Sequence, residues 1–188
     1  MPTQPPSASS SKIVDPRAPR PDKEAWFGSF PSHFAEWVFG PIERLMRGDD
    51  ALVSFILMSC AIDYLAGFWW GRSTKRESAE AYTAFVRTYF PSNRYDPDGV
   101  YDSLRNGLVH MFTIKDRRYA LTHNRPDLHL VKDRKNQVVL NASDFYSDLK
   151  AAANMYFNDV ATTPDLLDKA YERYSSDGFL DVSELSLR

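Results

Sequence analysis

The stretch Ala51-Leu52-Val53-Ser54-Phe55-Ile56-Leu57-Met58-Ser59-Cys60-Ala61-Ile62-Asp63-Tyr64-Leu65-Ala66-Gly67-Phe68-Trp69-Trp70 decides the fold. Wound at 3.6 residues per turn, it is apolar around nearly its whole circumference, which suits either the central helix of a bundle or a membrane span. The 19 residues from Leu52 to Trp70 are just long enough to cross a bilayer. Asp63 lies in the middle, where a charge facing lipid is costly, so the bundle reading is preferred. Asp49 and Asp50 are placed to cap the helix. An apolar central helix leaves Asp63 in need of a cation or hydrogen-bond donors, because burying an unpaired carboxylate is strongly unfavourable. Arg105 is the candidate partner.

The wider composition agrees with a bundle. A chain of 188 residues that is 43% hydrophobic and 14% aromatic can bury one genuine core. A net charge of -2 gives no global reason to expect nucleic acid or a membrane surface, although a local basic face fits inside a balanced total. The single Cys60 excludes a disulfide framework or a cysteine zinc site and fits a reducing, cytoplasmic setting. Residues 1–22 are rich in Pro, Ser and Ala, lack both hydrophobic periodicity and the apolar core of a secretion signal, and read as a disordered tail. Residues 23–188 then form a single helical domain, with no internal repeat.

Around the central helix the chain alternates helices and breakers. Phe34, Trp37, Val38, Ile42, Leu45 and Met46 recur at helical spacing between Pro31 and Arg47, bent near Gly40-Pro41. Beyond the centre, Ser73 or Thr74 can cap a helix that buries Tyr82, Phe85, Val86 and Tyr89 and stops at Pro91. Asp96-Pro97 then opens a short helix through His110. From Met111 to Leu140 four short runs, Met111 to Lys115, Arg118 to Thr122, Asp127 to Val131 and Gln137 to Leu140, are separated by turn residues and predict a small antiparallel β insertion at about 111–140. Asn141 caps a long helix burying Phe145, Leu149, Ala152, Ala153, Tyr156 and Val160. Thr163-Pro164 opens the last helix, stopped by Asp177-Gly178.

The chemistry concentrates in Tyr101-Asp102-Ser103-Leu104-Arg105-Asn106-Gly107-Leu108-Val109-His110. At 100° per residue Val100, Leu104, Leu108 and Met111 form a buried stripe, and Asp102, Asn106 and His110 a polar one. Arg105 and His110 then stand about 140° apart, with Arg105 long enough to reach round. Gly107 leaves room for another backbone or a phosphate. An Arg and a His converging beside an amide suit phosphodiester chemistry, His for proton transfer and Arg for the charge that develops on phosphorus oxygens. A second Arg-x4-His spacing, Arg118 to His123, falls on an expected strand. His123, Asp127 and His129 lack a third ligand on one face, so no metal is expected. Asp177 to Glu184 lacks the carboxylate repeat of a calcium loop. The aromatics Trp69, Trp70, Tyr82, Phe85, Tyr89 and Tyr156 sit at helical spacing and read as core.

Arg105-Asn106-Gly107-Leu108-Val109-His110 resembles the Arg-polar-x(3)-His motif of the HEPN (higher eukaryotes and prokaryotes nucleotide-binding) family of all-helical bundles, over roughly residues 32–160. The helix with a central Asp upstream, Ala61-Ile62-Asp63-Tyr64-Leu65, is also similar to that of a group of bacterial proteins. The resemblance implies a metal-independent RNA endonuclease, or an RNA-binding relative, that needs no cofactor and whose site is completed by homodimerisation of two motif helices. Arg105, Asn106 and His110 would be its catalytic residues, with Asp63, Asp102 and Tyr101 in support. The β insertion departs from that pattern. The expected fold is thus a mainly α helical bundle with a small antiparallel β insertion, not in a membrane. The alternative is a non-enzymatic interaction module in which the Arg/His motif is structural.

Overall fold

In the computed structural model, which describes residues 22–48, 50–71 and 77–177, Asp22 accepts the Ala25 N–H at 2.7 Å and caps helix α1, Lys23–Phe34. The helix thus starts two turns before the Pro31 boundary that composition suggests, because Trp26 and Phe30 are core residues ahead of that proline. It runs through a π-helical stretch, Ala35–Phe39, into α2, Gly40–Arg47. The wide π turn precedes Pro41, whose missing N–H leaves an α-helical hydrogen bond unmade. The Pro/Ser-rich segment up to residue 21, the Asp49 cap, the Ser73 and Thr74 cap and the segment after Asp177 lie outside the described residues.

Helix α3, Ala51–Trp70, is the centre of the bundle, with α2, α4 (Ser78–Tyr89), the motif helix, α6 (Ala142–Thr162) and α7 (Pro164–Asp177) ranged around it. Phe55, Met58, Ile62, Leu65 and Phe68 are fully buried on its inner face. It is the one helix among the described residues long and apolar enough to span a membrane, and 56% of that window is buried inside the protein. Asp50 stands at its N-terminus, but its carbonyl rather than its carboxylate does the capping, accepting from the Ser54 N–H and hydroxyl. Of the expected aromatic core, Tyr82, Phe85, Tyr89 and Tyr156 are buried, with Phe85 and Tyr89 both meeting Tyr156 edge-on, while Trp69 and Trp70 are only partly buried against it. The α6 face predicted from Phe145 to Val160 is buried throughout.

Helix α5, Pro97–Val100, opens at the Asp96-Pro97 signal and continues into the motif helix, Tyr101–Val109. The insertion then differs from expectation. Only two strands form, β1, Tyr119–Thr122, and β2, Val138–Asn141, and they pair parallel, Tyr119 opposite Val138 through Thr122 opposite Asn141. Met111 to Lys115 supplies the end of the motif helix and a loop, and Asp127 to Val131 a 3-10 turn and a reversal at Leu130 (φ 63°). The antiparallel pattern survives only as a fragment in which Leu130 and Val131 bond Val139 and Lys132 bridges Val138. The physical reason is neighbour order: β2 hydrogen-bonds directly to β1, and the returning segment at residues 130–132 lies on the other flank of β2 instead of between the two strands.

Candidate functional site

The motif is not an α-helix. Residues Tyr101–Val109 wind as a π-helix, in which backbone bonds run from i to i+5 and the wider turn brings residues four and five apart onto one face. This overturns the 140° separation of Arg105 and His110. The two share a face, and a guanidinium N–H at Arg105 Nη1 donates to His110 Nε2 in a very short contact. Since a guanidinium can only donate, Nε2 is the acceptor in this contact. Of the expected buried stripe, Val100, Leu104 and Leu108 are fully buried, whereas Met111, placed on it by the α period, is 64% exposed.

Behind Arg105 stands Asp63. Arg105 Nε donates to Asp63 Oδ2 at 2.9 Å, with the two side chains 20% and 24% exposed. Arg105 therefore does not choose between core and surface but bridges them, one edge held by the central helix and another presented to the exposed His110. Three of its five N–H donors have no hydrogen-bond partner among the described residues. Beside this pair Cys60 is exposed, and partial burial pushes its thiol pKa up, so it is not a ready thiolate.

The other motif residues serve the scaffold. Asn106 Nδ2 donates to Asp102 Oδ1 at 3.2 Å, so these two pair with each other rather than with His110. The Tyr101 hydroxyl meets the Ser78 hydroxyl at 3.2 Å, and its ring packs edge-on against Tyr82, which ties the motif to α4. Gly107 is required: a Cβ there would lie 2.5 Å from the Thr113 carbonyl oxygen and 2.9 Å from the Lys115 nitrogen. The room that glycine leaves is filled by the chain's own backbone rather than left for a phosphate.

The second spacing, Arg118 to His123, brackets β1, so its two ends are separated by about 16 Å of extended chain. Arg118 instead pairs with Asp96. No group of three potential metal ligands forms among the described residues. His129, however, belongs to a buried chain that the sequence did not announce. Its Nδ1 accepts the Asn141 N–H at 3.1 Å, its Nε2 meets the Tyr95 hydroxyl at 3.0 Å, and that hydroxyl donates to Asp148. These residues come from a loop, the insertion and α6, far apart in sequence, and they staple the insertion to the bundle.

No sequence profile of a known family, no curated protein and no solved structure matches the chain. The site is accordingly read from its geometry.

Proposed function

We propose that the chain is a HEPN-like protein that binds and cuts RNA without a metal, using His110 and Arg105. The observation that carries this is the contact of Arg105 with an exposed His110 on a π-helical turn, a winding that recurs at functional sites. In the reaction the ribose 2'-hydroxyl attacks the adjacent phosphorus and the bond to the 5'-oxygen breaks, leaving a 2',3'-cyclic phosphate and a 5'-hydroxyl. His110 handles one proton of this exchange, and Arg105 turns its remaining donors to the phosphoryl oxygens, where negative charge grows. Asp63 holds the guanidinium in place, and the Asp102 to Asn106 bond holds the helix around it.

One imidazole cannot be base and acid at the same moment, so the second proton-transfer group is the same histidine of a second copy. A homodimer is supported by the exposed apolar residues Leu52, Val53 and Cys60 along α3, of which Cys60 lies one turn before Asp63, and by Met111, 64% exposed beside His110. A toxin or phage-defence role in the cytoplasm suits such an activity. The test is cleavage of a quenched single-stranded RNA in the presence of a chelator. His110→Ala should lower the rate at least a hundredfold with an unchanged circular dichroism spectrum, and 2'-O-methyl RNA should resist. Equal rates for the two proteins would sink the proposal. The second reading, an interaction module, is favoured by the ion pair itself: Asp63 clamps Arg105 as a structural brace would.

A further inference from the structure

The insertion carries charge that the whole-chain total conceals. Residues 115–137 hold seven Lys and Arg against three Asp, in a chain whose net charge is -2. Two of those cations are engaged, Arg118 with Asp96 and Arg125 with Asp127. The Asp133 carboxylate is turned inward and accepts the backbone N–H groups of Lys135 and Gln137, both at 2.8 Å. Lys115, Arg117, Lys132, Arg134 and Lys135 are exposed and form no ion pair among the described residues.

Topology gathers these five at one end. Because β1 and β2 run parallel, with Tyr119 opposite Val138, the segments that precede each strand lie side by side. The Val138 N–H donates to the Arg118 carbonyl, Gln137 Nε2 donates to the Arg117 carbonyl, and Lys132 bridges Val138 from the other flank. That end abuts the motif, since the Lys115 backbone is the segment that closes over Gly107. Between His110 and Lys115 stands Phe112, 73% exposed and at φ 52°, a left-handed conformation that is unfavourable for a bulky residue. Burial does not offset that cost, because the ring is in solvent. Cations that follow a phosphate chain, alternating with an aromatic ring for stacking, are the means by which proteins hold unpaired nucleic acid.

We infer that the basic end of the insertion, with Phe112 as its stacking platform, is a track that binds a single-stranded RNA and leads it to His110. This rests on the nuclease reading for the identity of the nucleic acid, but its test does not need cleavage. Binding of a labelled 20-nucleotide single-stranded RNA is followed by fluorescence anisotropy between 0.05 and 0.3 M salt (conditions on the order of those where counterion release dominates), with His110→Ala protein as the parent so that the strand stays intact. The variant K132A/R134A/K135A should lose three phosphate contacts. At about 0.7 per contact, the slope of log affinity on log salt should become shallower by about 2, and affinity at 0.1 M should fall about a hundredfold. Phe112→Ala should weaken binding about tenfold or more with little change of slope. A triple variant that binds within about threefold of its parent with the same slope, or a duplex of the same sequence bound as tightly as the single strand, would overturn the inference. Wild-type protein that binds in this way but does not cut refutes the nuclease reading alone.

Discussion

Replacing Asp63 by alanine separates the brace from the active site most sharply. The carboxylate lies 2.9 Å from Arg105 Nε, and neither side chain is more than a quarter exposed. At that distance the bare Coulomb attraction is about 1.4 kcal/mol in water and about 6 at an effective dielectric of 20, before the cost of desolvating both groups. A charged hydrogen bond nets about 1.5–3 kcal/mol after that cost, and truncating one partner leaves the other half-buried and unpaired. Asp63→Ala should therefore destabilise the fold by about 2 kcal/mol, a fall in Tm of about 4–8 °C for a chain of this size. Urea denaturation of Asp63→Ala, Arg105→Ala and the double variant measures the coupling directly. A coupling of about 2 kcal/mol is expected, whereas His110→Ala, at the exposed end, should move stability by less than about 0.5 kcal/mol. The reasoning fails if the coupling is below about 0.5 kcal/mol or if His110→Ala is the more destabilising change.

Three further outcomes follow from particular contacts. Gly107→Ala puts a methyl 2.5 Å from a carbonyl oxygen of the backbone, which cannot rotate away as a side chain would, so thermal melting should show a loss of about 3 kcal/mol or more, together with loss of RNA cleavage. Burial holds the His129 pKa below its ordinary 6.5, against the raising influence of Asp144 and Asp148 and with the help of Arg94, while Tyr95 and the Asn141 N–H occupy its two nitrogens. A histidine whose folded pKa is depressed contributes stability above pH 6.5 that is lost as pH falls through the folded value; Tm should be flat above pH 7 and drop below 6.5, and His129→Gln should flatten that drop. Glu43, held low chiefly by the Tyr146 hydroxyl and then by Lys150, acts only below its ordinary 4.5, so it does not contribute to the loss that begins just below pH 6.5. The Tyr156 hydroxyl is buried with no hydrogen-bond partner among the described residues, so Tyr156→Phe should leave Tm unchanged or raise it, measured by calorimetry; a clear fall would reveal a hidden partner.

Much of this protein is written locally. The nearly continuous apolar circumference of residues 51–70 determines a central helix, the Asp96-Pro97 and Thr163-Pro164 signals start helices where they should, and the α6 stripe from Phe145 to Val160 is buried as its period demands. Even the Asp63 to Arg105 pair was legible, because a carboxylate in an apolar helix must find a donor and a flexible cation in the motif could supply it. These features depend on spacing along one helix or on the cost of burying one charge. The features that matter most to the site do not. The π winding that brings Arg105 and His110 onto one face is a choice of hydrogen-bond partner, i to i+5 rather than i to i+4, made when the motif helix is docked on α3 and closed by the loop over Gly107. The parallel pairing of β1 and β2 was missed because alternation along a strand defines its two faces but carries no direction for its partner. The Tyr95, His129 and Asp148 chain joins residues up to 53 positions apart, a distance no local pattern spans. Sequence determined which residues were available to the site; tertiary packing decided which of them meet, because helix winding and strand direction are fixed by contacts between elements and not within them.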